Sequence, residues 1–432
     1  MLVRAGVARV DITPPPGIDL TGFILREGPC SGVHDPLYAT ALVLENGGDS
    51  AALVSCDVIG VGRRLVQRVR EAVARICGIR PDHQMYCCTH THGGPETGVI
   101  AGIGLPDPAY LARLEANLVQ AVTQAAAGLQ PVRLSWAAGE EPQAAINRVG
   151  LRTGTVRPID PQVIVLCLET EAGQPLCSVV HYTCHPTAVG HGSTLATADY
   201  VSYLRDELEP RGCGLVLYIN GAGGDINPRM DGRGYEAAER AGRAIGAVAR
   251  RLWETAAPIE ASRIAGRRTE LRLELAPLPD FERVIALAQE GKARQAGKVP
   301  LSPQWRADQV VYVQHAARLV RLLRGSEPIP TYTAEVQALR IGPVGIVALP
   351  GEFFVALGLA LKARSPLQPL LVAGWSNDNI GYVPDRDSYP LGGYEIDIAY
   401  RYYGYPAVWA PGTGEAAVEH ALGLLHDLAR TG

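Results

Sequence analysis

Two histidines one residue apart, His90 and His92, are the residues of this sequence best suited to chemistry. They follow an apolar, β-prone run at 83–87 and precede a Gly-Gly-Pro segment at 93–95. Because residues i and i+2 of an extended strand point to the same face, we expect both imidazoles to face one space at the end of a strand. Imidazole is a usual zinc ligand in proteins, so the pair indicates either a zinc site or two hydrogen-bonded surface histidines.

Further polar residues lie where other predicted strands end. His185 ends a strand that also contains His181; His185 is the better ligand candidate, and we interpret His181 as a structural histidine. Asn227 lies in a glycine-rich loop, which either approaches a substrate or is a plain tight turn. Glu352 lies between a buried strand and an apolar helix, where it is either a helix-start residue favoured by the helix dipole or a metal ligand.

Strand-like and helix-like segments alternate along most of the chain, and they must position these residues. The hydrophobic patterns predict strands at 50–56, 84–89, 163–168, 176–182, 214–219, 336–341, 344–349 and 370–373. They predict helices at 63–77, 108–127, 199–208, 235–255, 353–363 and 415–429. Hairpins and helix-connected strands both occur, so we predict an α/β protein with mixed β-sheets flanked by helices.

The length of 432 residues allows one large domain or two smaller ones. We predict a single domain over residues 1–432, in which 279–330 is more polar and more helical than its surroundings. That segment is either an inserted helical subdomain or an outer layer of the fold.

Net charge and cysteine content limit the possible binding partners of the protein and the cellular compartment in which it is expected. The net charge of −4 gives no indication of nucleic acid as a partner, and the chain has no apolar run long enough for stable membrane insertion. The nine cysteines are odd in number and form no C-x-x-C pair, which is typical of buried thiols in a reducing compartment. We therefore expect a soluble, cytoplasmic protein that acts on a small-molecule substrate. The sequence leaves open whether the protein forms a homo-oligomer.

Several separate motifs follow one another along the chain: Thr89-His90-Thr91-His92-Gly93-Gly94-Pro95, Asn147-Arg148, His185, Gly224-Asp225-Ile226-Asn227-Pro228, Pro350-Gly351-Glu352, Gly381-Tyr382 and Tyr394-Glu395. In order and spacing, from about residue 8 to residue 404, the sequence resembles the neutral/alkaline non-lysosomal ceramidase family. The resemblance implies the fold of that family's N-terminal catalytic domain, with zinc (Zn²⁺) as cofactor.

Carried over residue by residue, the resemblance implies zinc ligands at His90, His185, Glu352 and Tyr382. It also implies that the site is lined by His92, Arg148 and Tyr394. We expect two departures from the family: Asn227 replaces a serine proposed to act in amide cleavage, and residues 1–432 are expected to contain no counterpart of the family's C-terminal immunoglobulin-like domain. Ceramide is therefore not necessarily the substrate.

From these residues we predict a zinc-dependent hydrolase that cleaves an amide bond of an N-acyl or related small substrate with metal-activated water. His92 would transfer a proton, and Tyr394 with Arg148 would hold the developing oxyanion or a polar group of the substrate. Asn227 would form a hydrogen bond but is not a plausible nucleophile. Two alternatives stay open: a non-catalytic zinc-binding scaffold protein, and a metal amidohydrolase with a (β/α)₈ barrel that acts on a non-lipid substrate.

Overall fold

A computed structural model describes residues 3–229, 232–260, 263–300 and 302–430. Its strands are, in chain order, β1 (Arg4–Asp11), β2 (Gly32–Val33), β3 (Tyr38–Asn46), β4 (Asp49–Cys56), β5 (Gln84–Cys88), β6 (Gln130–Glu140), β7 (Ala145–Asn147), β8 (Gln162–Thr170), β9 (Pro175–Tyr182), β10 (Leu195–Ala196), β11 (Leu215–Asn220), β12 (Ile226–Pro228), β13 (Ala257–Ile259), β14 (Ile264–Leu273), β15 (Tyr332–Ile341), β16 (Val344–Ala348), β17 (Glu352–Phe353), β18 (Leu370–Ala373) and β19 (Tyr382–Val383). Its α-helices are α1 (Arg63–Cys77), α2 (Pro108–Ala127), α3 (Arg148–Thr153), α4 (Tyr200–Leu208), α5 (Tyr235–Thr255), α6 (Phe281–Gln295), α7 (Pro303–Asp308), α8 (His315–Leu323), α9 (Val355–Arg364), α10 (Tyr394–Asp397) and α11 (Thr413–Arg430).

A large mixed sheet forms the centre of the fold. Its strands lie in the order β11-β9-β8-β6-β1-β3-β4-β5, with β13 paired to β6. The pairs β4–β5 and β9–β11 are parallel, whereas β8–β9 is the predicted antiparallel hairpin. The predicted α/β class with mixed sheets is therefore confirmed.

A second sheet, in the order β14-β15-β16-β18, packs face to face on the large one. Alternate residues of β3 show why: Leu42 and Leu44 join Ile346 and Leu371 of the second sheet in one apolar cluster. Val43, between them, points to the opposite face and packs with helices. Strands buried on both faces need continuous apolar sequence, which explains the apolar runs of the large sheet.

Helices cover the outer face of each sheet, which gives four layers in the order α/β/β/α. The large sheet is covered by α1, α2, α4 and α5, and the second sheet by α9 and α11. Helix α1 ends at Gly78, whose φ of 73° suits a residue without a side chain at a helix end. The boundaries of α1, α2 and α5 match the predicted segments.

The segment predicted as helical around 279–330 contains α6, α7 and α8, with a π-helical stretch at Gln309–Gln314 between the last two. These helices build an apolar cluster of their own together with Ile100 and Tyr402. Whether the segment is an insertion in a single domain stays a prediction. Among the residues that the structure describes, no helix is both long and apolar enough to cross a bilayer.

The two edge strands of the large sheet, β5 and β11, meet although they stand at opposite ends of the strand order. At the end of β11, Asn220 Nδ2 donates a hydrogen bond to the O atom of Thr89, the residue that follows β5 (2.9 Å), and Ser55 Oγ of the adjacent strand β4 donates to Tyr218 O of β11 (2.7 Å). The sheet is thus curled so far that the carboxyl ends of β5, β9 and β11 lie together. Loops from both halves of the chain converge at this place.

Candidate active site

Three imidazoles lie together where these strands end. Ring nitrogens of His90, His92 and His185 all lie within 4.8 Å of one another. His90 and His185 are buried, whereas His92 is half-buried at the surface of the cluster. Such a cluster has the ligand type and spacing needed to hold a metal ion.

The pair His90 and His92 does not lie in a strand, so the predicted extended geometry is wrong. Strand β5 ends at Cys88, and His90 has a φ of 65°, in the left-handed region. The backbone N–H of His90 donates to Val58 O (3.1 Å), which holds this turn against the end of the neighbouring strand. The two rings face one space because the chain turns, not because alternate residues share a face of a sheet.

Backbone carbonyls fix the orientation of the two buried rings. His90 Nδ1 lies 2.6 Å from Ile59 O, and His185 Nδ1 lies 2.7 Å from Gly223 O. Because a carbonyl can only accept, each Nδ1 carries the proton, and Nε2 of each neutral ring presents its lone pair. Burial lowers the pKa of His185 to about 3 and that of His90 well below its ordinary value, so both rings are neutral near pH 7.

A carboxylate faces these same lone pairs. Glu352 Oε2 lies 3.1 Å from His185 Nε2 and 3.7 Å from His90 Nε2. The other oxygen, Oε1, accepts a hydrogen bond from the Tyr403 hydroxyl. Lone pairs that face one another without a hydrogen repel, so this arrangement is favourable when a metal ion, or a proton on one of the rings, lies between them. Two imidazole nitrogens and one carboxylate oxygen fit zinc, and the carbonyl partners of Nδ1 are those usual for metal-bound histidines.

Tyr382 lies beside the carboxylate because β17 and β19 pair in parallel with Glu352 opposite Tyr382. Its phenol oxygen accepts a hydrogen bond from Arg148 Nη2 (2.9 Å). Burial raises the pKa of Tyr382 well above its ordinary value, although the Arg148 charge acts in the opposite direction. Burial alone would lower the pKa of Arg148, but Tyr382 and Glu395 outweigh it, and Glu395 forms an ion pair with Arg148 at 2.8 Å.

A cleft of about 280 Å³ leads from the surface to this group of residues. Its lining includes His92, Arg148, Asn227, Tyr382 and Tyr394. Asn227 Oδ1 lies 3.4 Å from Arg148 Nη1, and the rings of Tyr394 and Tyr382 meet edge to face with centroids 5.8 Å apart. All residues predicted to hold the metal or to line the site are therefore in one place; their roles stay predictions.

Two contributors to the site, Tyr403 and Trp375, were not predicted from the sequence, and a third, Glu395, was part of a quoted motif but was given no role. Tyr403 orients Glu352, Glu395 pairs with Arg148, and Trp375 stacks on the His90 ring with centroids 4.2 Å apart. The density of tyrosines at 400–405 was the available signal for Tyr403, whereas nothing local marks Trp375.

No protein-family model matches the chain. The neutral ceramidase of Pseudomonas aeruginosa is 25% identical over 257 residues, which cover 53% of this chain and 37% of that protein. Neutral ceramidase A of Dictyostelium discoideum is 23% identical over 259 residues, covering 53% of this chain and 36% of that protein. The match thus spans little more than a third of the length of these curated relatives.

Similarity in fold extends further than similarity in sequence. A crystal structure of the neutral ceramidase from Pseudomonas aeruginosa superposes with a TM-score of 0.75 at 20% identity, covering 100% of this chain and 75% of that one. A structure described as ceramidase complexed with C2 gives a TM-score of 0.76 at 18% identity, covering 100% of this chain and 76% of that one.

Proposed function

The chain is related to the neutral ceramidases and has their fold, and from this premise we propose that it is a zinc-dependent hydrolase that cleaves an amide bond. One observation carries the proposal. The lone pairs of His90 Nε2 and His185 Nε2 and the Oε2 oxygen of Glu352 face one another, and the proton of each ring is held by a backbone carbonyl. A divalent cation is a partner that suits this arrangement of acceptors, which supports the proposal.

The proposed zinc ligands are His90, His185, Glu352 and Tyr382. Bound zinc would supply Lewis acidity and lower the pKa of water toward about 7. Tyr403 would hold Glu352 in the ligand orientation through its hydrogen bond to Oε1.

The remaining residues of the cleft would bind the substrate and move protons. His92 borders both the cleft and the histidine cluster, with its Nε2 3.3 Å from His90 Nε2, so it can carry a proton to the leaving amine. Arg148 and Tyr394 would donate hydrogen bonds to the polarised carbonyl oxygen. Asn227 replaces the family's serine, and because a carboxamide is not a nucleophile, we propose water attack without an acyl-enzyme.

Two alternatives are less well supported. A closed scaffold site would have side chains packed over the metal position, whereas His92 and Tyr382 border an open cleft of about 280 Å³. A (β/α)₈ amidohydrolase barrel would need eight parallel strands, whereas the large sheet here is mostly antiparallel and packs on a second sheet.

Metal content of purified, zinc-loaded variants tests the proposal. We expect His90→Ala to lose bound zinc, while His420→Ala, a histidine on the exposed side of α11, keeps it. We expect His92→Ala to keep zinc but lose amide hydrolysis. Full metal content in His90→Ala would show that the ligand assignment is wrong, and loss of zinc in His92→Ala would make His92 a ligand instead of a proton carrier.

A further inference from the structure

We infer that the amide substrate carries a carboxylate, as an N-acyl amino acid does, and that Arg233 binds this carboxylate. The inference rests on the proposed amide hydrolysis and names its substrate class. In the reaction, water adds to the amide carbonyl, the C–N bond breaks, and the amino-acid nitrogen takes up a proton as it leaves. The products are a carboxylic acid and a free amino acid.

The cleft in front of the histidines is cationic. Two arginines, Arg148 and Arg233, line it, and no acidic side chain among the described residues does so. A neutral substrate would gain nothing from this excess of positive charge, whereas an anionic substrate would be attracted and oriented by it.

Arg148 is not free to form a two-pronged ion pair with a substrate carboxylate, because most of its guanidinium is already engaged. Its Nη2 donates to Gly224 O (2.6 Å) and to the Tyr382 hydroxyl (2.9 Å), and Nη1 lies 3.4 Å from Asn227 Oδ1. Its charge is compensated by Glu395, whose Oε1 lies 2.8 Å from Nε. Arg148 therefore has Nη1 left for the carbonyl oxygen, and the uncompensated positive charge of the cleft belongs to another residue.

Arg233 has the properties needed for this role. Its side chain is exposed and forms no ion pair with any side chain in the described ranges. Gly190 lies against it with a φ of 81°, and a Cβ at that position would come within 3.1 Å of Arg233 Cδ, so the glycine leaves room for the arginine at the cleft. A free guanidinium binds a carboxylate through two parallel hydrogen bonds, which an alcohol cannot form.

The rest of the cleft suits an acyl group of modest length. Phe23 lies with its ring centroid 4.9 Å from that of His92, and Ile24 and Leu25 continue this apolar wall. The volume of about 280 Å³ is at the small end for ligand sites. A second hollow of about 620 Å³ shares His191 and Arg233 with the cleft and gives room for an amino-acid side chain beyond the carboxylate.

A matched pair of substrates tests the inference. N-octanoylglycine and N-octanoylethanolamine have the same acyl chain and the same amide. The first ends in a carboxylate, where the second has a hydroxymethyl group. We expect the zinc-loaded protein to show a kcat/KM about tenfold higher for the acid, and Arg233→Gln to remove this preference by lowering kcat/KM for the acid far more than for the ethanolamide. Arg64→Gln, a change of an exposed arginine on α1 away from the cleft, is the control and should alter neither rate.

Equal or faster cleavage of the ethanolamide by the unmodified protein would overturn the inference but not the hydrolase proposal. Cleavage of neither compound would count against the hydrolase proposal, and binding then tests the inference by itself. We expect N-octanoylglycine to bind zinc-loaded His92→Ala about tenfold more tightly than the same protein with Arg233→Gln added, measured by titration calorimetry. Equal affinities would overturn the inference whatever the activity.

Discussion

The hydrogen bond from Tyr403 to Glu352 leads to a quantitative prediction about metal binding. In Tyr403→Phe the Glu352 carboxylate loses the donor that holds Oε1 and thereby directs Oε2 to the histidines. Glu352 is only 2% exposed, so water does not readily replace the hydroxyl. A hydrogen bond to a buried charged group contributes about 1.5–3 kcal/mol, which corresponds to a roughly 10- to 100-fold weaker zinc affinity.

The zinc dissociation constant, measured by competition with a chromogenic chelator on metal-free protein, checks this value. Tyr405→Phe is the matched control, because Tyr405 packs on Trp409 with ring centroids 4.3 Å apart and lies in a different apolar cluster. We expect the control to bind zinc as the unmodified protein does. A Tyr403→Phe protein that is folded and binds zinc within about threefold of the unmodified protein would refute the idea that this phenol orients the ligand.

Two further predictions concern stability. Glu335→Ala leaves the buried Arg70 without its carboxylate, 2.7 Å away, and should lower the free energy of unfolding in urea by about 3–5 kcal/mol; a loss below about 1 kcal/mol would contradict a buried ion pair. Burial raises the pKa of Asp199 to about 6, so ionising this residue costs stability as the pH rises from about 4 to 6. Asp199→Asn should therefore be stabilised relative to the unmodified protein by up to about 3 kcal/mol more at pH 7 than at pH 4, and a pH-independent difference would rule this out.

Helices with long amphipathic patterns could be predicted from the sequence to the residue. Helix α5 shows why: its buried positions recur at helical spacing, and it begins directly after Gly234. Local sequence suffices here because the apolar stripe and the flanking glycine are both local signals.

Strands with a polar face were overlooked for the opposite reason. No element was predicted at β1, β6 or β14, where exposed and buried residues are mixed and several charges occur. Such segments pair because neighbouring strands offer hydrogen-bonding edges, as when all of β14 pairs along β15. That information is not contained in the segment itself.

The candidate site was reached from the sequence through motifs and family resemblance, and the relationship to neutral ceramidases is confirmed. The roles of the site residues stay predictions. The geometry that joins them was not predictable locally: the left-handed backbone of His90 and the stacking of Trp375 depend on contacts with distant segments. His181 lies in β9, four residues before His185, and its Nε2 is 3.1 Å from Val372 O in the core.

The meeting of β5 with β11 has a consequence for how the protein would acquire the proposed metal ion. The three groups that face one another come from the first quarter, the second quarter and the last quarter of the chain. Only a fragment that spans residues 90–352 contains them all, so tight binding of the proposed zinc would wait until contacts between parts of the chain remote in sequence have formed, which are the slow events of folding. The rate of zinc uptake during refolding would thus report the rate of the final step of folding.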